Sequence, residues 1–119
     1  MAIGYEAQGL SSGVAVGRSA LGCSGTAVGH GAYGSDSGAA VGYGADGSDS
    51  GTAVGLYAKG SSYGTAVGYG AVGSSSGAAV GYEADGSNDG AAVGNSAKGM
   101  RYGAALGYKA GYNLSLIHI

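Results

Sequence analysis

The chain has 119 residues, 29 of them Gly and 22 Ala, with no Pro, Trp or Phe, and Leu, Ile and Val together number only 18. That is too few large apolar side chains for an ordinary globular core, and five basic against seven acidic residues, netting −2, exclude both a basic nucleic-acid surface and an acidic tail. One Cys excludes a disulfide framework or a zinc-finger ligand set, and no apolar run approaches the roughly 18 residues of a membrane span.

Met1 leads straight into Ala2-Ile3-Gly4, without a charged or long apolar leader. The expectation for a secreted protein is therefore that residues 1–113 are one repeat array cut from a longer chain. The tripeptide Ala-Val-Gly, or a close variant, ends at Gly4, Gly17, Gly29, Gly42, Gly55, Gly68, Gly81, Gly94 and Gly107, in steps of 13 with a single step of 12. A fixed period separates this chain from a flexible Gly/Ser linker and marks a repeat architecture.

Three columns of the repeat carry the physics. Ala2, Ala15, Ala27, Ala40, Ala53, Ala66, Ala79, Ala92 and Ala105 form one without exception, and Ala7, Ala20, Ala32, Ala45, Ala58, Ala71, Ala84, Ala97 and Ala110 form another. A column that accepts only a methyl marks a place where nothing larger fits. The third column is larger and apolar: Ile3, Val16, Val28, Val41, Val54, Val67, Val80, Val93 and Leu106. One residue beyond the second Ala the column reads Gln8, Leu21, Tyr33, Asp46, Lys59, Val72, Asp85, Lys98 and Gly111, a tolerance that points to solvent.

Interior Gly costs a helix about 1 kcal/mol each, and Gly recurs every few residues. Strands are expected instead, two per unit, near 65–69 and 71–74, joined by Gly-rich turns. The 12-residue step supports this, since its missing residue falls in Cys23-Ser24-Gly25, where another unit reads Ser35-Asp36-Ser37-Gly38. Thirteen residues at about 3.3 Å give a contour of roughly 43 Å, too short for a three-sided coil of about 18 residues. The fold class expected is all-β: a narrow parallel β-solenoid, or β-roll, of about nine 13-residue coils. Its slot holds the two Ala columns, so the Val column faces outward from its own coil. One coil alone does not recover the backbone entropy of ordering it. The outward Val column is thus the expected oligomer interface.

The segments Gly13-Val14-Ala15-Val16-Gly17 and Gly77-Ala78-Ala79-Val80-Gly81-Tyr82-Glu83-Ala84 resemble the YadA-like head repeats of trimeric autotransporter adhesins, a roll also found in phage tail fibres. The resemblance extends over residues 2–111 in eight or nine copies. It implies a left-handed roll, a homotrimer packed through apolar residues, and an extracellular adhesive fibre on a bacterial surface, with a host-surface or extracellular-matrix receptor as partner. The unit here is 13 residues rather than the family's usual 14, with Ala or Thr where Val often precedes the Ala.

At the C-terminal end, Leu114-Ser115-Leu116-Ile117-His118-Ile119 breaks every column. It matches the in-frame translation of a transposase adapter used in short-read sequencing; the other reading is an apolar strand capping the last coil. Residues 114–119, and the Asn113-Leu114-Ser115 glycosylation match, are set outside the functional inference.

The chemical motifs are weak. Gly29-His30-Gly31-Ala32-Tyr33-Gly34 matches a dinucleotide fingerprint, which works only if a helix follows. Gly9-Leu10-Ser11-Ser12-Gly13, Gly60-Ser61-Ser62-Tyr63-Gly64 and Gly73-Ser74-Ser75-Ser76-Gly77 match a nucleophile elbow, but His30 is the one His before the terminal segment. Asp46-Gly47-Ser48-Asp49-Ser50 and Asn88-Asp89-Gly90 suit turns better than a calcium roll. Thr26, Thr52 and Thr65 make too broken a row for ice binding. No catalytic residue, cofactor or metal is expected. Tyr5, Tyr43, Tyr69, Tyr82 and Tyr108 follow the landmark Gly, either as rings covering neighbouring coils or as a ligand-contacting ladder.

Overall fold

The computed structural model describes residues 1–111, so the expectations placed on 112–119 lie outside the described residues. Every regular element is a strand of two or three residues. The first sheet holds β1 (Ala2–Ile3), β3 (Val14–Val16), β5 (Thr26–Val28), β7 (Ala39–Val41), β9 (Thr52–Val54), β11 (Thr65–Val67), β13 (Ala78–Val80), β15 (Ala91–Val93) and β17 (Ala104–Leu106), paired in that order. The second holds β2 (Gln8–Leu10), β4 (Leu21–Cys23), β6 (Tyr33–Ser35), β8 (Asp46–Gly47), β10 (Lys59–Gly60), β12 (Val72–Ser74), β14 (Asp85–Ser87) and β16 (Lys98–Gly99). All pairings are parallel and in column register, as in Thr65↔Ala78, Ala66↔Ala79 and Val67↔Val80. The chain is a β-solenoid of 13-residue coils, with principal extents of 50 × 19 × 11 Å.

Alternation sets the two faces of each sheet. In β11, Thr65 and Val67 are exposed and Ala66 is fully buried. Both Ala columns line the slot, and from Ala15 to Ala97 each member of either column is at most 1% exposed. The slot also contains two columns of Gly, typified by Gly73 in β12 and Gly77 after it, both buried. A Cβ on Gly73 would run into the backbone of Thr65 across the slot, with the carbonyl carbon 2.5 Å away. One side of the interior is therefore methyl against methyl and the other is bare backbone against backbone.

The strands are shorter than the sequence suggests, Thr65–Val67 and Val72–Ser74 in place of 65–69 and 71–74. Gly68 has φ +136°, which leaves the β region, and the Ala71 N–H donates to the Gly68 carbonyl to close a four-residue turn. The opposite turn has left-handed φ at both central residues, as in Asp36 (47°) and Ser37 (69°), with the Gly38 N–H donating to the Ser35 carbonyl at 2.7 Å. That is the type I′ pattern. The short step is absorbed there, since β4 still pairs Leu21↔Tyr33 and Cys23↔Ser35.

Candidate functional site

With Ala and Gly filling the slot, every larger side chain among the described residues except the buried Ser35 is at least partly exposed on a surface. The outer face of the first sheet carries two columns. The apolar one comprises Ile3, Val16, Val28, Val41, Val54, Val67, Val80, Val93 and Leu106, each the last residue of its strand. Val16 and Val28 are half-buried, whereas the residues from Val41 to Val93 are 38–43% exposed and Leu106 is 71% exposed. The neighbouring column is small: Val14, Thr26, Ala39, Thr52, Thr65, Ala78, Ala91 and Ala104. Together they make a continuous flat apolar face along the rod. Thr26, Thr52 and Thr65 stand on it, separated by Ala39 and followed by Ala.

The five Tyr of the expected ladder all lie on the turn that leaves this sheet, but they do not form one stack. Tyr69 and Tyr82 lie face to face, with ring centroids 5.1 Å apart and planes within 7°. Tyr43 stacks on His30 at 4.8 Å and meets Tyr57 edge-on at 5.5 Å. Tyr5 sits under the Arg18 guanidinium at 5.8 Å, and Tyr108 under the Lys109 ammonium at 5.3 Å. The stacked spacings are close to the rise of one coil, about 4.8 Å, so neighbouring coils cover ring faces and leave edges and hydroxyls to solvent. Tyr57 is an addition to the cluster; its ring crosses Gly44, whose missing Cβ would lie 2.8 Å from it. Burial, then the Tyr43 hydroxyl by charge and hydrogen bond, raise the Tyr57 phenol above its ordinary value, with Tyr69 adding a smaller push.

The weaker motifs fall where turns and strands disperse them. Gly34 of the dinucleotide match lies in β6, not at the start of a helix. The elbow serines Ser11, Ser62 and Ser75 sit at left-handed turn positions, and His30 is engaged by Tyr43. Asn88 and Asp89 are the central pair of a type I′ turn. Among the described residues no three His, Cys, Asp or Glu gather as a metal site. Cys23 is a free thiol, half-buried on the outer face of the second sheet. No family model, curated protein or solved structure matches the chain.

Proposed function

We propose that the chain is a structural and adhesive β-roll segment of a surface-exposed trimeric fibre, working outside the cell or on a virion. The observation that carries this reading is the apolar column from Ile3 to Leu106, which runs the length of one sheet and, among the described residues, is left largely uncovered from Val41 onward. An uncovered apolar stripe of that length is a surface for association. Three copies are favoured by the resemblance to adhesin head repeats. Receptor contact then falls to the columns that trimer packing leaves outside, including the Tyr-bearing turn and a host-surface or matrix ligand. The mechanism is geometric: a stiff rod holds repeated side chains at fixed spacing.

Sedimentation equilibrium of the chain in high salt tests this, with a mass three times that of the monomer as the expected result. A folded monomer at high concentration and high salt would overturn it.

A further inference from the structure

The second sheet faces the other way, and its outward column carries charges in a definite order. Coil by coil it reads Asp46, Lys59, Val72, Asp85 and Lys98, each in register with the next. Lys59 and Lys98 are exposed, and Asp46, Val72 and Asp85 are half-buried. Beside it runs a column of small residues, Ser48, Ser61, Ser74 and Ser87, also half-buried, which keeps the face flat as far as the exposed Met100 that ends the column. Among the described residues, hydrogen bonds to these carboxylates are few: Asp85 Oδ1 accepts the Ser87 hydroxyl at 2.6 Å, and the buried Asp46 Oδ1 has no partner.

The signs run minus, plus, neutral, minus, plus. Read backwards about Val72, every charge changes sign. We propose that this face binds a second copy of the chain, antiparallel, about a two-fold axis that lies along the strands and passes at Val72.

Such an axis turns the rod end for end and returns each column onto itself. Asp46 then faces Lys98 of the second copy, Lys59 faces Asp85, Val72 faces Val72, and Ser61 faces Ser87. Moving the axis to any other coil, or between coils, leaves at least two of the four charges facing a like charge or a neutral residue. The axis at Val72 is the one register in which all four meet an opposite charge. A parallel arrangement instead sets this column against the Ser column and pairs no charges. The contact is isologous, so it closes at two copies. Its paired charges span roughly 19 Å at about 4.8 Å per coil, a small polar interface whose strength falls with salt. It uses the face opposite the Val column and does not depend on that column's role.

Exchanging neighbouring charges tests the proposal on the full chain. The variants D46K/K59D and D85K/K98D each preserve the opposite-charge neighbours within one chain while setting like against like across the axis. Each alone should lose association at low salt by about tenfold or more in sedimentation velocity, and mixing the two in equal amounts should restore it. The variant K59D/D85K breaks the neighbours within the chain but keeps every cross-axis pair, and should associate as the natural chain does. In a Cys23→Ser background, Val72→Cys should form a disulfide with its own copy on mild oxidation, while Lys98→Cys should not. The proposal is overturned if the natural chain shows no salt-sensitive association, if the mixture associates no better than its components, or if position 98 cross-links to itself as readily as position 72. Association that persists in high salt and survives all three charge variants reports on the Val face instead.

Discussion

Replacing Gly73 with Ala adds one methyl to the thinnest part of the slot. Its backbone there needs no left-handed conformation, so the only obstacle is space. The new Cβ would lie 2.5 Å from the Thr65 carbonyl carbon and 2.9 Å from its amide nitrogen. The Thr65 carbonyl oxygen is nearer still, and ordinary contact begins near 3.4 Å, so the two sheets must separate by at least about 0.9 Å. The obstructing atoms are backbone, tied by ladder bonds to coils on both sides, and cannot rotate away as a side chain would. A gap of that size forfeits a quarter to a half of the dispersion energy of the atoms lining it, and with the strain of overpacking the cost is about 3 kcal/mol. Gly31 is the control. It has φ +65° and nothing within 4 Å of an added Cβ, so Gly31→Ala costs only the left-handed conformation, about 1 kcal/mol. Gly68→Ala meets both penalties, since φ is +136° and the Gly81 carbonyl blocks the site. Urea unfolding followed by far-UV circular dichroism should rank the three as Gly68→Ala, then Gly73→Ala, then Gly31→Ala. If Gly73→Ala costs no more than Gly31→Ala, the slot is not limited by backbone contact and the packing argument fails.

Val67→Asp, on a residue 38% exposed, should leave the circular dichroism spectrum unchanged and, in high salt where the charged face of the second sheet is screened, reduce the sedimenting mass to that of one chain, because burying an unpaired carboxylate costs several kcal/mol. Deleting Ser62 converts its turn to the short form found at Cys23-Ser24-Gly25, and should shift the urea midpoint by less than about 1 kcal/mol of stability. Deleting Ala66 should instead disrupt the coil, since a one-residue slip exchanges the inner and outer faces of β11. Tyr57 should titrate above ordinary tyrosine in an ultraviolet absorbance titration, and Tyr43→Leu should bring it back toward the usual value by removing the charge and hydrogen-bond contributions. A raised pKa favours the neutral phenol in the folded chain. Its contribution to stability is therefore present below the ordinary tyrosine range and is lost as pH rises through the folded value; Tyr57 is 55% exposed, so that contribution is small.

Much of the fold was legible because the repeat samples each position eight or nine times within one chain. The Ala15 and Ala20 columns identify the slot by accepting nothing larger than a methyl, and the Val16 column must then face outward. The same reasoning applies to Gly22, Gly34, Gly47, Gly60 and Gly73, which are equally uniform and mark where even a methyl is too large. Read as turn punctuation, they hide that half of the slot is backbone alone. The Tyr cluster was only partly legible. Tyr57 occupies a column otherwise held by residues such as Ser19, Gly31 and Glu83, and it packs there because Gly44 leaves its neighbour's place open. Tyr5 and Tyr108 share a column with Tyr69, yet Arg18 and Lys109 are what each touches. A column fixes where a side chain leaves the backbone, whereas the residue one coil away decides what it meets.

Uniformity also limits what the Val face can specify. Each Val from Val41 to Val93 keeps about two fifths of its surface to bury, which is worth about 1 kcal/mol per residue. Sliding one chain past another by a single coil sacrifices one rung of nine and re-forms the rest, so the wrong register lies only about 1 kcal/mol above the right one for each chain. A ladder of identical rungs holds copies together without telling them where to stop. What distinguishes one coil from the next lies elsewhere: the shortened turn at Ser24, the irregular order of Val, Thr and Ala before the inner Ala, and the order of charges from Asp46 to Lys98. Because the slot admits no variation, any register or partner choice this rod makes must be written in those outward differences, and the second sheet carries the strongest of them.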